Sequence, residues 1–259
     1  MIQWIFVLFV SLMIFLQTVQ RGLLHGEESS SHIKNHTVSP KIILWAWERA
    51  ENLEFINIHK IGVAFLSRTI EIKGEQVHIL PRLQPLKVPE GTYLIAVARL
   101  STSREERPQF SPEVLSRVVT AILEMASIRG ISGIQIDFDA RVSERVFYNQ
   151  LIHELRSKVP NSIAISITAL ASWCIHDYWI SELPVDDAIP MLFRMGAEKD
   201  WIFQFVGEGR DFKPMCRKSV GISTDESYPE IPRGCRVFIF NPNPWSEKDL
   251  KKVMEGIKP

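Results

Sequence analysis

Two carboxylates stand one residue apart in the stretch GIQIDFDA, Gly133–Ala140, at the end of an apolar run. Ile134 and Ile136 read as buried strand positions, so Asp137 and Asp139 fall where the strand leaves the core. Residues i and i+2 of a strand share a face, with Cα atoms about 6.5–7 Å apart. Like charges held that close push one pKa upward, so one carboxyl keeps its proton while the other stays ionised. Cleavage of a glycosidic bond uses such a division of labour. Two other readings stay open for the pair. In one it is structural, with Asp137 accepting from backbone amides and Asp139 capping the next loop. In the other it holds a divalent metal, although no His lies adjacent.

Further residues with chemistry gather at the ends of other apolar runs. The first run ends in Trp45, Trp47, Glu48 and Arg49, and another ends at Arg99. Later runs give Thr168 followed by Trp173, then Met191 and Arg194, then Asn241, Asn243 and Trp245. Tryptophan faces stack on apolar faces of sugar rings, while acids, amides and arginine bond hydroxyls, so the mix suits a carbohydrate cleft better than a phosphate or hydride-transfer site. Trp45, Trp47, Trp173 and Trp245 are the candidate sugar platforms. Trp45 and Trp47, at i and i+2, are equally readable as core aromatics. Arg99, Arg194 and Asn241 are candidate hydroxyl contacts. Glu48 is a candidate third acid that reaches across the site, with a salt bridge to Arg49 or Arg99 as the plainer alternative.

A scaffold that gathers strand ends is needed. From Lys41 onward, β-rich runs alternate with helical patterns: KIILWAW, GVAFLSRTIEI, TYLIAVARL, GIQIDFDA, SIAISITAL, AIPMLFRM, SVGIST and RVFIFNP. Continuous apolar runs suit parallel strands buried on both faces. KGEQ turns the second run into VHILPRLQP, a hairpin or extension. Ser111 is an N-cap with Pro112 in the first turn, and Val114, Leu115, Val118, Ile122, Leu123 and Met125 fall on one helical face before a stop at Gly130. A second helix starts near Ser143 and ends before Pro160, with Phe147, Leu151, Ile152 and Leu155 inward. A last one starts at Ser246, with Asp249 three residues on. The expectation is an α/β fold, a somewhat irregular (β/α)8 TIM-type barrel whose active site lies at the C-terminal strand ends. An open doubly wound sheet is the alternative, and it normally carries a glycine-rich nucleotide loop that is absent here.

The 259 residues are 46% hydrophobic and 23% charged, enough for one large domain. Thirty basic and thirty acidic side chains cancel, so no positive field points to nucleic acid. Ile2–Val19 carries no charge and reads as a signal peptide or an uncleaved membrane anchor, giving residues 1–20 that role. Either places the rest outside the cytoplasm, although Arg21 opposes that orientation. Residues 21–40 are a polar, Ser-rich linker containing the sequon Asn35-His36-Thr37, and 41–259 form the barrel domain. Of the three cysteines, Cys216 and Cys235 could close a disulfide across a loop, or all three are free; none has zinc spacing, and no cofactor is expected.

The stretch SGIQIDFDA resembles the DGxDxDxE strand-four motif of the chitinase-like family 18 glycoside hydrolases, with Gly133 and Asp137 matching and Asp139 at the glutamate. PMLFRM resembles that family's Met-x-Tyr-Asp strand, with Phe193-Arg194 at the Tyr-Asp pair, and Trp245 takes the place of its strand-eight tryptophan. The resemblance implies that Asp139 is the acid, set back by about 1.5 Å relative to glutamate, and that Asp137 orients or stabilises charge. A closer resemblance, over nearly everything from Lys41 to the end, is to the bacterial domain-of-unknown-function family 3142, through ILWAWER, GVAFLSRTI, RLQPLKVP, QIDFDA, ITALASWC, LPVDDAIPMLFRMG and FNPNPW. It implies an exported or anchored bacterial barrel without an assigned activity. Together these give a glycosidase acting on a carbohydrate or cell-envelope glycan. The alternatives are a non-catalytic glycan-binding barrel with a degenerate site and a metal-dependent hydrolase.

Overall fold

The structure, a computed structural model, describes residues 39–257. The apolar segment Ile2–Val19, the sequon and the linker up to Val38 lie outside the described residues. Among the described residues, no helix is long and apolar enough to cross a membrane.

The chain runs β1 (Ile42–Ala46), β2 (Glu51–Asn52), β3 (Ile61–Lys73), β4 (Gln76–Pro81), β5 (Leu86–Lys87), β6 (Leu94–Thr102), α1 (Pro112–Leu123), β7 (Ile131–Asp137), α2 (Arg145–Lys158), β8 (Ala164–Leu170), β9 (Asp187–Met191), α3 (Lys199–Gly207), β10 (Ser219–Ser223), β11 (Arg236–Phe240) and α4 (Glu247–Gly256). Eight strands pair in parallel in the order β1-β3-β6-β7-β8-β9-β10-β11, and β11 pairs back with β1. The sheet is closed, which makes this the barrel expected from the sequence and not an open sheet. The C-terminal part of β3 continues past the barrel and pairs antiparallel with β4, the hairpin that KGEQ signalled. Beside it, β2 and β5 form a separate two-stranded parallel ladder.

The helical layer is incomplete. Among the described residues, α-helices follow only β6, β7, β9 and β11. Ser111 Oγ accepts from Val114 N at 3.3 Å and Pro112 opens α1, while Ser246 Oγ accepts from Asp249 N at 3.1 Å and caps α4. After β8, short 3-10 turns replace a helix, and aromatic rings fill the space. Phe138, Tyr148, Trp179 and Trp173 contact in sequence at centroid distances of 5.2, 5.7 and 4.9 Å. A disulfide joins Cys174 to Cys216 across this region, and Cys235 is the free cysteine, its thiol donating to Arg217 O at 3.1 Å. Neither of the two readings open in the sequence, a Cys216–Cys235 pairing or three free thiols, is what the structure has. Closeness in sequence does not bring Cys216 and Cys235 together, because the turn Pro214–Cys216 packs against the region after β8 instead.

Strand alternation divides the core into two clusters. Ile42, Leu44 and Ala46 face outward into the main core, while Ile43 and Trp45 face the barrel axis with Ala64, Ile95, Val97, Ile189 and Phe238. The Trp45 indole fits because its neighbour on β10 is Gly221, where a Cβ would lie 2.9 Å from Trp45 Cη2. Its Nε1 donates to the fully buried Gln135 at 2.7 Å. The apolar plug is thin, and cavities open at both ends of the barrel.

Candidate active site

The cavity at the C-terminal strand ends has a volume of about 720 Å³, within the roughly 300–1,000 Å³ typical of small-molecule clefts. Trp45, Trp47, Arg99, Asp137, Asp139 and Arg194, all singled out in the sequence, line it. So do Thr168, Met191, Phe193, Phe240, Arg104, Arg141 and Glu198.

The acid pair owes its placement to alternation at the end of β7. Ile134, Ile136 and Phe138 are buried on the outer face, and Phe138 meets the ring of Tyr148 on α2. That anchor keeps Asp137 and Asp139 on the cavity side although the strand ends at Asp137. Asp137 is partly exposed and Asp139 exposed. Thr168 Oγ, on the neighbouring β8, donates to Asp137 Oδ1 at 2.7 Å. Arg99 is the register partner of Asp137 on β6.

Burial pushes the Asp137 carboxyl up to about 6, against the Thr168 hydrogen bond, which lowers it. The charge of Asp139 adds to the rise and that of Arg99 opposes it. Asp139 is raised too, again by burial first, with Arg99 opposing. Both carboxyls are thus raised, where the sequence reading expected one to rise and the other to stay ionised. The leading cause is desolvation rather than like-charge repulsion.

The aromatic wall is built differently from the expectation. Phe193 and Phe240 stack at 5.8 Å with ring planes 2° apart, and Trp47 meets Phe240 edge-on at 6.3 Å. Trp45 lines the cavity but is 3% exposed, a floor rather than a platform. Phe240 stands two residues after the inward Phe238, so β11 alternation was the signal for it. Phe193 holds the position where the resembling family has tyrosine. The rim residues Arg104, Arg141 and Glu198 come from loops and helix-start segments, where no periodicity marks orientation.

Four expected residues are placed elsewhere. Trp173 is buried against Trp179 behind β8. Trp245 is buried, its Nε1 donating to Trp45 O at 3.0 Å and its backbone N–H to Glu51 Oε2 at 2.9 Å. Asn241 is buried and accepts from Thr224 Oγ1 at 2.7 Å. Glu48 is exposed and does not line the cavity. Nor does it pair with Arg49, which instead donates to the buried Glu51 at 2.8 Å and to the carbonyls of Asn241 and Pro242. Arg82 holds the carbonyls of Trp47 and Arg49. The end of β1 is thereby clamped to the segment after β11, and these polar groups are occupied in closing the barrel.

Arg194 lines the rim, but its guanidinium is taken by Asp225 at 2.6 Å and by Glu226. Its φ of 56° places a non-glycine residue in the left-handed region, a local strain of the kind concentrated at functional loops. Tyr148 stands behind the acid pair. Its buried hydroxyl has no hydrogen-bond partner among the described residues, and Tyr148 does not line the cavity. Burial, then Asp137 and Asp139, push its pKa up. Among the described residues, no cluster of three or more His, Cys, Asp or Glu side chains is arranged to hold a metal.

Residues 90–189 match the model of a family described as a domain of unknown function (DUF3142). The DUF3142 stretch contains Arg99, Asp137, Asp139 and Thr168, and with them the motifs QIDFDA and ITALASWC, and it ends before Arg194. Among solved structures, the chain is similar to the Bacillus cereus spore cortex-lytic enzyme SleL, at 16% identity and a TM-score of 0.42 over 71% of this chain and 51% of that one. It is also similar to the chitinase domain of the spore coat protein CotE from Clostridium difficile, at 11% identity and 0.38, over 62% and 52%. The chain spans about half the length of these structures. Among curated proteins, none matches.

Proposed function

We propose that the cavity at the C-terminal strand ends binds a glycan and that Asp137 and Asp139 hydrolyse it as an acid and carboxylate pair. The carrying observation is the environment of the pair. Burial holds Asp137 at about 6, where a carboxylic acid can still donate a proton near neutrality, while the more exposed Asp139, raised as well, faces the same cavity. This reverses the roles read from the sequence, in which Asp139 was the acid. In the proposed step, Asp137 protonates the leaving glycosidic oxygen as its bond to the anomeric carbon breaks, and Asp139, ionised, takes a proton from the water whose oxygen bonds to that carbon. Arg99 fixes substrate hydroxyls and favours the ionised form of both acids. Trp47, Phe193 and Phe240 supply the apolar face that sugar rings stack on. The Cys174–Cys216 disulfide supports an exported location, since disulfides persist in oxidising compartments.

The test incubates the full chain with bacterial envelope polysaccharides and peptidoglycan and measures released reducing ends, beside Asp137→Asn and Asp139→Asn. Release lost in both variants, with a rate that falls as pH rises through about 6, supports the reading. Binding without release in the native chain replaces it with a glycan-binding barrel.

A further inference from the structure

At the opposite, N-terminal end of the barrel lies a second cavity, of about 420 Å³. Its inner wall is apolar, formed by Tyr93, Ile95 and Phe238. Asp187, the first residue of β9, lines it at 6% exposure. Its Oδ2 accepts from Ser219 Oγ on β10, but its Oδ1 is buried with no hydrogen-bond partner among the described residues. A buried carboxylate oxygen without a donor is costly, and burial pushes this carboxyl up against the lowering effects of Ser219, Arg236 and Lys218. The neighbouring Asp186, which also lines the cavity, accepts from Ile165 N at 2.8 Å and Arg156 at 3.1 Å, both at Oδ2.

The other charged side chains lining the cavity are cationic: Lys41, Lys218 and Arg236. Lys41 and Lys218 are exposed, and each gives one hydrogen bond to a backbone carbonyl, Gly234 O at 2.6 Å and Asp186 O at 2.7 Å. An ammonium has three donors, so two remain on each. Arg236 is tied to Pro40 O and Ser39 Oγ. One cavity therefore brings together a buried acid whose Oδ1 has no donor among the described residues, cations at its edge, and an apolar wall.

We propose that this cavity binds a small zwitterion with an apolar side chain, an amino acid or dipeptide, whose ammonium meets Asp187 and whose carboxylate meets Lys41 and Lys218. A cation alone would leave the lysines unanswered, and an anion alone would leave Asp187 Oδ1 unpaired. The volume admits such a molecule. The site is separate from the glycan cavity and does not depend on that reading.

The experiment titrates the full chain by calorimetry with leucine, with 3-methylbutylamine, which lacks its carboxylate, and with 4-methylpentanoate, which lacks its ammonium. Leucine is expected to saturate and to bind at least about tenfold more tightly than either fragment. Asp187→Asn, which preserves shape, and the paired surface change Lys41→Met with Lys218→Met are each expected to weaken leucine at least about tenfold. Asp137→Asn is expected to leave it unchanged. If Asp187→Asn does not fold, the amine-free and carboxylate-free fragments still read the two ends separately. No saturable leucine binding up to about 10 mM, or 4-methylpentanoate binding as tightly as leucine, overturns the proposal.

Discussion

Asp137→Asn is expected to make the protein more stable at neutral pH while removing activity. Burial raises the folded-state pKa of Asp137 from 3.8 to about 6. Between those values the folded chain binds a proton that the unfolded chain has released, so stability falls as pH rises through the window and levels off above it. A rise of about two units corresponds to about 3 kcal/mol, and access to cavity solvent trims this to roughly 2–3 kcal/mol. Asparagine keeps the shape and still accepts from Thr168, but it carries no charge to desolvate and no repulsion toward Asp139. The stabilisation should be close to nothing near pH 4, where native Asp137 is protonated, and complete above pH 7. For a barrel of this size it translates to a melting temperature raised by roughly 5–10 °C.

Thermal unfolding followed by circular dichroism from pH 4 to pH 8, for the native chain and Asp137→Asn, gives both curves. The difference between them, rather than either midpoint, is the readout, because every other titrating group is shared. A difference that is flat across the range refutes the desolvation account. So does a variant less stable than the native chain at pH 8, since both outcomes mean that Asp137 is ionised without penalty in the fold.

Thr168→Val removes the hydroxyl that favours ionised Asp137, so the midpoint of Asp137 should move above 6 by about one unit in a carbon-detected carboxyl titration; a downward move would contradict the assigned donor. Replacing Cys174 and Cys216 by alanine opens a link across 42 residues and should cost about 4 kcal/mol in denaturant unfolding. Thiol counting on the denatured native chain should find one reactive group before reduction and three after it. Trp245→Phe should cost about 1–3 kcal/mol through the orphaned Trp45 carbonyl while sparing glycan affinity, whereas Trp47→Ala should do the reverse, lowering affinity by roughly tenfold in a binding assay.

The strands were legible because a parallel strand buried on both faces leaves a continuous apolar run, and each of the eight runs lies in a barrel strand. The acid pair was legible for a related reason: β7 stays apolar until its end, so polarity there marks the exit from the core. Beyond the strand ends, Asp139, Trp47 and Arg194 were read onto the cavity, but Trp245 and Asn241 were not legible. Trp245 is oriented by Glu51, 194 positions away, and Asn241 by Thr224. Nothing local in either residue's surroundings distinguishes a tryptophan that closes a barrel from one that meets a sugar. The cysteines carry the same lesson, since pairing follows the packing of the turn at Cys216 and not its distance along the chain from Cys235.

The two cavities share a construction that the closed sheet makes available. In each, an inward acid sits at one end of a strand and the adjacent strand supplies a hydroxyl to one of its oxygens, Thr168 to Asp137 and Ser219 to Asp187. Between them the barrel is sealed by apolar side chains and one polar link, in which Trp45 donates to Gln135 and Gln135 to Ser166 at 3.4 Å. Trp45 faces the upper cavity and Ser166 the lower. A buried polar link persists where its groups find partners, and here the partners come from β1, β7 and β8 at one level. Small residues on the axis, Ala64 and Gly221 among them, leave room for Trp45 and keep the seal thin, so that both strand ends remain open to solvent. An acid near a strand end is then desolvated on its core side and reachable on the other. That geometry raises Asp137 and Asp187 alike, burial being the first cause in each.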